Sequence, residues 1–116
     1  EEAVGNAWKK SGVNRDEIFL VSKVWHSNYG EGQTMKSIDE SLRKLQTDYI
    51  DLMLLHQPYC DRYGAYRDLE KAYKAGSNFA LGFLIGLSSI EKYSNCFRLT
   101  ITPRKGVKVI VVSKGI

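Results

Sequence analysis

Residues 18–27 read IFLVSKVWHS, and residues 48–58 read DYIDLMLLHQP. Each is a short, nearly continuous apolar run. The first carries Lys23 at its end and the second carries His56. Continuous rather than alternating apolar character marks strands buried on both faces, as in a parallel sheet. Two parallel strands share a direction, so Lys23 and His56 are expected to emerge at one carboxyl edge. That edge is where α/β sheets bind ligands and carry out chemistry. An ammonium and an imidazole converging there suit a site that polarises a carbonyl oxygen. Taken singly, each has a plainer use, Lys23 snorkelling to solvent and His56 as a structural histidine. Trp25 and His26, just beyond Lys23, are placed to line the same mouth or simply to pack a loop. Asp51, inside the second run, reads as a structural hydrogen-bonding group.

Upstream, Glu2 to Ser11 has Ala3, Val4, Ala7 and Trp8 at helical spacing, with Gly12 as a stop. Asn14 to Glu17 reads as a turn, and the first strand is expected over Ile18 to Ser22. Thr34 is expected to cap a helix running to Leu45, with Met35, Ile38, Leu42 and Leu45 as its apolar stripe. Tyr49 to Leu55 is the second strand, ended by Pro58. Tyr66 to Ala75 reads as a helix with Leu69, Ala72 and Tyr73 inward and Gly76 as terminator. A third strand over Phe83 to Leu87, a short helix around Glu91 to Cys96 and a fourth strand over Val107 to Val112 complete the series. Such alternation implies right-handed crossovers and a parallel sheet.

The 116 residues allow one ordinary domain, and 43% hydrophobic with 26% charged content is near the average for globular chains and argues against disorder. The net charge of +4 is spread among mixed acids and bases, so no strip reads as a nucleic-acid footprint. The longest apolar run, Phe79 to Leu87, is too short to cross a bilayer, and no signal peptide is visible. Cys60 and Cys96 lie far apart without metal-ligand spacing, so no metal is expected and a reducing, cytoplasmic setting is the simplest inference. The chain opens at Glu1-Glu2 rather than Met, as a processed start or a piece of something longer would.

Three stretches together carry a resemblance: VSKVWHSNYG (21–30), SIDESLRKLQTDYIDLMLLHQP (37–58) and AYRDLEKAYKAG (65–76). They resemble the aldo-keto reductase family, in particular its bacterial diketo-gluconate and aldehyde reductases. The likeness is dense from Glu1 to Gly76. It implies an α/β fold that is an incomplete (β/α)₈ TIM barrel, comprising roughly the third to sixth strands with their helices. It also implies NADPH as cofactor, a small-molecule carbonyl substrate and reduction of aldehydes or ketones to alcohols. In that family a tyrosine donates the proton, helped by a lysine and a histidine, and an aspartate holds the lysine. Lys23 matches the lysine and His56 the histidine, with Trp25 expected at the substrate. A nearby ammonium favours tyrosinate, and a histidine beside the oxygen orients the carbonyl.

The pattern also departs from the family. The aspartate and tyrosine precede an Asn-Glu-Glu stretch of which Glu1-Glu2 resembles the tail, so neither falls within this chain. A whole barrel takes about 250 residues. Residues 77–116 are a degraded match within a partial domain spanning 1–116. There Ser88 and Ser89, after LIGL, stand where the family places a Ser-Asn pair that holds the nicotinamide amide. Ser77-Asn78-Phe79 copies the wording of that pair without a strand before it, and Val109 stands where a glutamine is expected. Two functions therefore follow. One is a segment of an NADPH-dependent reductase that is inactive without its remaining parts. The other is a non-catalytic half-barrel acting as an interaction protein, a homo-oligomer that covers its open sheet edges. A flavodoxin-like nucleotide binder would need a glycine-rich phosphate loop after its first strand, which this chain lacks.

Overall fold

A computed structural model describes residues 1–57, 59–76, 81–83 and 108–112. In chain order the described elements are helix α1 (Glu2–Ser11), strand β1 (Ile18–Val24), helix α2 (Gln33–Leu45), strand β2 (Leu52–Leu55), helix α3 (Arg62–Lys74), strand β3 (Leu81–Phe83) and strand β4 (Lys108–Val111). Short 3₁₀ turns at Arg15–Glu17 and His26–Asn28 flank β1. The strands form one four-stranded sheet in the order β3-β2-β1-β4. All three of its ladders are parallel, with Val21 opposite Leu52, Met53 opposite Leu81 and Ile18 opposite Lys108.

The β1–α2–β2–α3–β3 run thus has the repeated β-α-β form expected of a barrel segment. β4 does not continue it. Four successive barrel strands would lie in chain order, whereas β4 crosses to the free side of β1 and pairs with Ile18 through Val21. There it satisfies the backbone groups along the edge of β1 that β2 leaves open.

Period-two alternation along β1 and β2 divides their side chains between two layers. Leu20, Val24, Met53 and Leu55 join Ile38 and Leu45 of α2 and Leu69 and Ala72 of α3 in the main core, against which Val4 and Trp8 of α1 also pack. Val21, Leu52 and Leu54, with Phe19 beside them, form a second buried cluster on the opposite face of the sheet.

Several local expectations are corrected. Thr34 lies inside α2 and is fully buried, its hydroxyl donating to the Asn28 carbonyl (2.8 Å), so it caps nothing. The first turn of α2 is capped from a distance: Asp68 of α3 accepts from the backbone N–H groups of Gly32 (2.7 Å) and Met35 (3.0 Å). α3 starts at Arg62, four positions before Tyr66, because Asp61 accepts from Gly64 N–H and supplies the cap. Tyr73 is 51% exposed rather than inward, since the buried stripe of α3 runs through Ala65, Asp68, Leu69 and Ala72. β1 extends two residues past Ser22, and β2 begins at Leu52, three after Tyr49. β3 begins two residues before the expected Phe83, set by Leu81 pairing with Met53. The expected helix at 91–96 lies outside the described residues.

Candidate active site

The register of β1 and β2 builds the site. Lys23 lies opposite Leu54, and Val24 lies opposite Leu55. The ladder runs one step further, with His56 N–H donating to the Val24 carbonyl at 3.1 Å. Alternation then puts Phe19, Val21, Lys23 and Trp25 in one row and Leu52, Leu54 and His56 in the next, on the same face of the sheet. The apolar members of those rows are the second buried cluster, so Lys23, Trp25 and His56 sit at the carboxyl end of an apolar layer. All three are half-buried.

Trp25 packs against two imidazoles. Its ring centroid lies 4.6 Å from His56 and 4.8 Å from His26, with interplanar angles of 55° and 36°. Nδ1 of His56 is buried and has no hydrogen-bond partner among the described residues. Burial, then the charge of Lys23, then that of His26, holds the His56 pKa below the ordinary histidine range. Both neighbours are basic, so at neutral pH His56 is an uncharged imidazole beside the Lys23 ammonium. Such a pair can donate hydrogen bonds to an oxygen on which negative charge develops.

The backbone beyond His56 is held by Tyr29. Its hydroxyl donates to the Gln57 carbonyl oxygen (2.8 Å) and accepts from the Gln57 N–H (3.1 Å), while its ring, only 6% exposed, sits in the main core. Burial raises the Tyr29 pKa above that of an ordinary phenol, which keeps the hydroxyl protonated and able to do both. No pattern in the sequence singles out Tyr29. The signal is tertiary, a phenol whose ring is core and whose oxygen reaches another loop.

Of the residues the sequence nominates, Lys23, Trp25, His26 and His56 are brought to one edge. Ser88 and Ser89, and the alternative Ser77 and Asn78, lie outside the described residues. Val109 lies on β4 opposite Phe19, on the far side of β1 from His56. Asp51 has the structural part expected of it: Oδ2 accepts from Arg15 (2.8 Å) and from Leu20 N–H (2.8 Å). A separate cleft of about 520 Å³ is lined by Glu1, Glu2, Ala3, Asn28, Ser37, Glu40, Ser41 and Lys44, and shares no residue with the Lys23–His56 edge. Among the described residues no group of His, Cys, Asp or Glu is arranged to hold a metal, and no helix is long and apolar enough to cross a membrane.

Comparison with known proteins gives the family. The glyoxal reductase of Bacillus subtilis (strain 168) is 47% identical over 83 residues, covering 71% of this chain and 30% of that enzyme. The crystal structure of an aldo-keto reductase enzyme from a Medee basin deep-sea metagenome library superposes with a TM-score of 0.69 at 37% identity, over 71% of this chain and 31% of that one. An aldo/keto reductase from Klebsiella pneumoniae, solved in complex with NADP and acetate, superposes with a TM-score of 0.65 at 29% identity, over 81% of this chain and 33% of that one. The chain therefore spans about a third of the length of these relatives. With the family model for aldo/keto reductases matching residues 1–113, the chain belongs to the aldo/keto reductase family.

Proposed function

We propose that this chain is a segment of an NADPH-dependent reductase that converts aldehydes or ketones to alcohols, and that Lys23 and His56 are its contribution to catalysis. The observation that carries the reading is the β1–β2 register, which sets Lys23, Trp25 and a neutral His56 on one face at the carboxyl edge. His56 orients the substrate carbonyl by hydrogen bonding to its oxygen. The Lys23 ammonium stabilises negative charge as it develops on oxygen and, by the family resemblance, lowers the pKa of a proton-donating tyrosine. That tyrosine and its aspartate would come from sequence outside these 116 residues. Trp25 shields one side of the imidazole from water and lines the substrate mouth.

The basic character of the mouth fits an anionic cofactor, and the NADP bound by the Klebsiella relative supports NADPH here. NADPH, when bound, supplies the hydride. Ser88 and Ser89 would hold its nicotinamide amide, a role that rests on the resemblance alone. We read residues 77–116 as the diverged end of the same domain, the substrate as a small carbonyl compound and the setting as cytoplasmic. The exposed free thiol of Cys60 suits a reducing compartment. The experiment is to purify the native product from its own cells, measure its intact mass and assay NADPH oxidation with glyoxal. In a product of whole-barrel size, about 250 residues, Lys23→Met is expected to lower kcat by about a hundredfold or more. His56→Ala is expected to lower it by a comparable or larger factor. Full activity in both variants would sink the assignment.

The strand order favours a second reading. Because β4 lies beside β1 rather than beside β3, the sheet of the described residues ends in two edge strands, β3 and β4, whose outer backbone groups suit pairing with another copy. A native product near 13.2 kDa that oxidises no NADPH and runs as an oligomer would make this a non-catalytic, self-associating domain.

A further inference from the structure

We propose that Tyr29 is a positioning residue for His56, its hydroxyl holding the imidazole in place by clamping both peptide groups of Gln57. The inference rests on the reading of His56 as the carbonyl-orienting group.

A histidine that works on a substrate is ordinarily fixed in tautomer and orientation by a hydrogen bond to its other ring nitrogen. His56 lacks that device among the described residues: Nδ1 is buried without a partner. Its ring meets Trp25 at a 55° tilt, an apolar contact that tolerates rotation and sliding. The imidazole must therefore be placed through its own backbone. On the amino side that backbone is held by the ladder bond from His56 N–H to Val24. On the carboxyl side β2 has ended at Leu55, and the next residue is held by the Tyr29 hydroxyl, which donates to the Gln57 carbonyl and accepts from its N–H.

Tyr29 can act as a strut because its other end is anchored. The ring is buried in the main core, and its N–H donates to the His26 carbonyl at 3.2 Å. It therefore joins the loop that carries Trp25 and His26 to the loop that follows His56. The groups that act electrostatically on this pair are Lys23 and His26 on the imidazole and Cys60 on the phenol. None of them substitutes for the hydroxyl, since none bonds Gln57 among the described residues.

The test uses this chain and needs no turnover. It contains two histidines, so ring-labelled histidine NMR gives two spin systems, told apart with His26→Gln. In Tyr29→Phe the Gln57 amide is expected to exchange about tenfold faster, the return expected for one lost hydrogen bond. The His56 ring resonances are expected to broaden and its titration midpoint to move up toward the ordinary value of about 6.5. Faster exchange at Gln57 with unchanged His56 resonances and midpoint would overturn the proposal and leave Tyr29 a core residue. Unchanged exchange would overturn it as well. Should Tyr29→Phe not fold, 3-fluorotyrosine at position 29 keeps the shape and makes the hydroxyl more acidic. The His56 resonances must then shift, and if they do not the proposal fails. Failure of the catalytic reading is separate: it shows as a native reductase in which His56→Ala keeps full activity, whatever the NMR reports.

Discussion

The carboxylate of Asp68, midway along α3, caps the amino terminus of α2 by accepting from Gly32 N–H at 2.7 Å and from Met35 N–H at 3.0 Å. Asp68 is 1% exposed, and its other oxygen lies 3.4 Å from the Lys71 ammonium, which also reaches Glu31 at 2.8 Å. A negative charge at a helix N-terminus meets both orphan N–H groups and the positive end of the helix dipole. Asp68→Ala is expected to cost about 2 kcal/mol of unfolding free energy. Asp68→Asn, which keeps an acceptor, should cost less. Urea denaturation of the two variants checks the order, and equal losses would argue against a cap.

Gly5 sets how closely α1 approaches α2. A Cβ at this position would overlap the Lys44 carbonyl oxygen and sit 3.0 Å from the Leu45 carbonyl carbon. The same end of α2 receives the Trp8 indole N–H, which donates to the Leu45 carbonyl at 2.8 Å. Gly5→Ala would normally favour a helix, yet here the backbone contact must open. The expected result is a loss of about 1–3 kcal/mol, together with a change in Trp8 fluorescence. A stabilised variant would contradict the close approach.

Arg15 and Asp51 tie the amino ends of β1 and β2. Arg15 donates to the carbonyl oxygens of Ile18 (2.7 Å) and Tyr49 (2.8 Å) and to Asp51 (2.8 Å), and its guanidinium lies 3.9 Å from the Tyr49 ring centroid. Arg15→Met removes donors from partly buried acceptors and should cost about 2 kcal/mol. In a double-mutant cycle with Asp51→Ala a coupling above about 0.5 kcal/mol is expected. Purely additive losses would place the pair with ordinary surface ion pairs.

Acid should weaken the fold through His56. Its folded pKa lies below the unfolded value of about 6.5 because of burial, Lys23 and His26. The unfolded chain therefore takes up the proton first as pH falls. The contribution is complete above about pH 6.5 and is lost as pH drops through the folded value. Urea midpoints measured between about pH 7.5 and 5 should show a steeper decline for the native chain than for His56→Gln. Parallel curves would mean that His56 titrates alike in both states.

Apolar continuity over 18–22 and 49–55 was sufficient to read two buried parallel strands from the amino-acid sequence, though not their exact ends, and their shared direction was sufficient to bring Lys23 and His56 to one edge. Helical spacing gave α1, α2 and most of α3, because a buried stripe needs only the periodicity of the chain itself. Some misreadings are local, as at the start of α3, where Asp61 caps Gly64 three residues on, but others turn on a partner far along the chain. Thr34 looks like a cap by its local spacing, but the acceptor for the first turn of α2 comes from Asp68, more than thirty residues away. Tyr29 is one tyrosine of seven until its hydroxyl meets Gln57. The place of β4 follows the same logic. Its apolar run marks a strand, yet any open parallel edge could accept it, and only the assembled sheet puts it against β1. Local pattern determines which residues are buried and which element they form. The pairing of distant backbone and side-chain groups is decided by the tertiary structure, because those hydrogen bonds depend on positions in space that spacing along the chain does not encode.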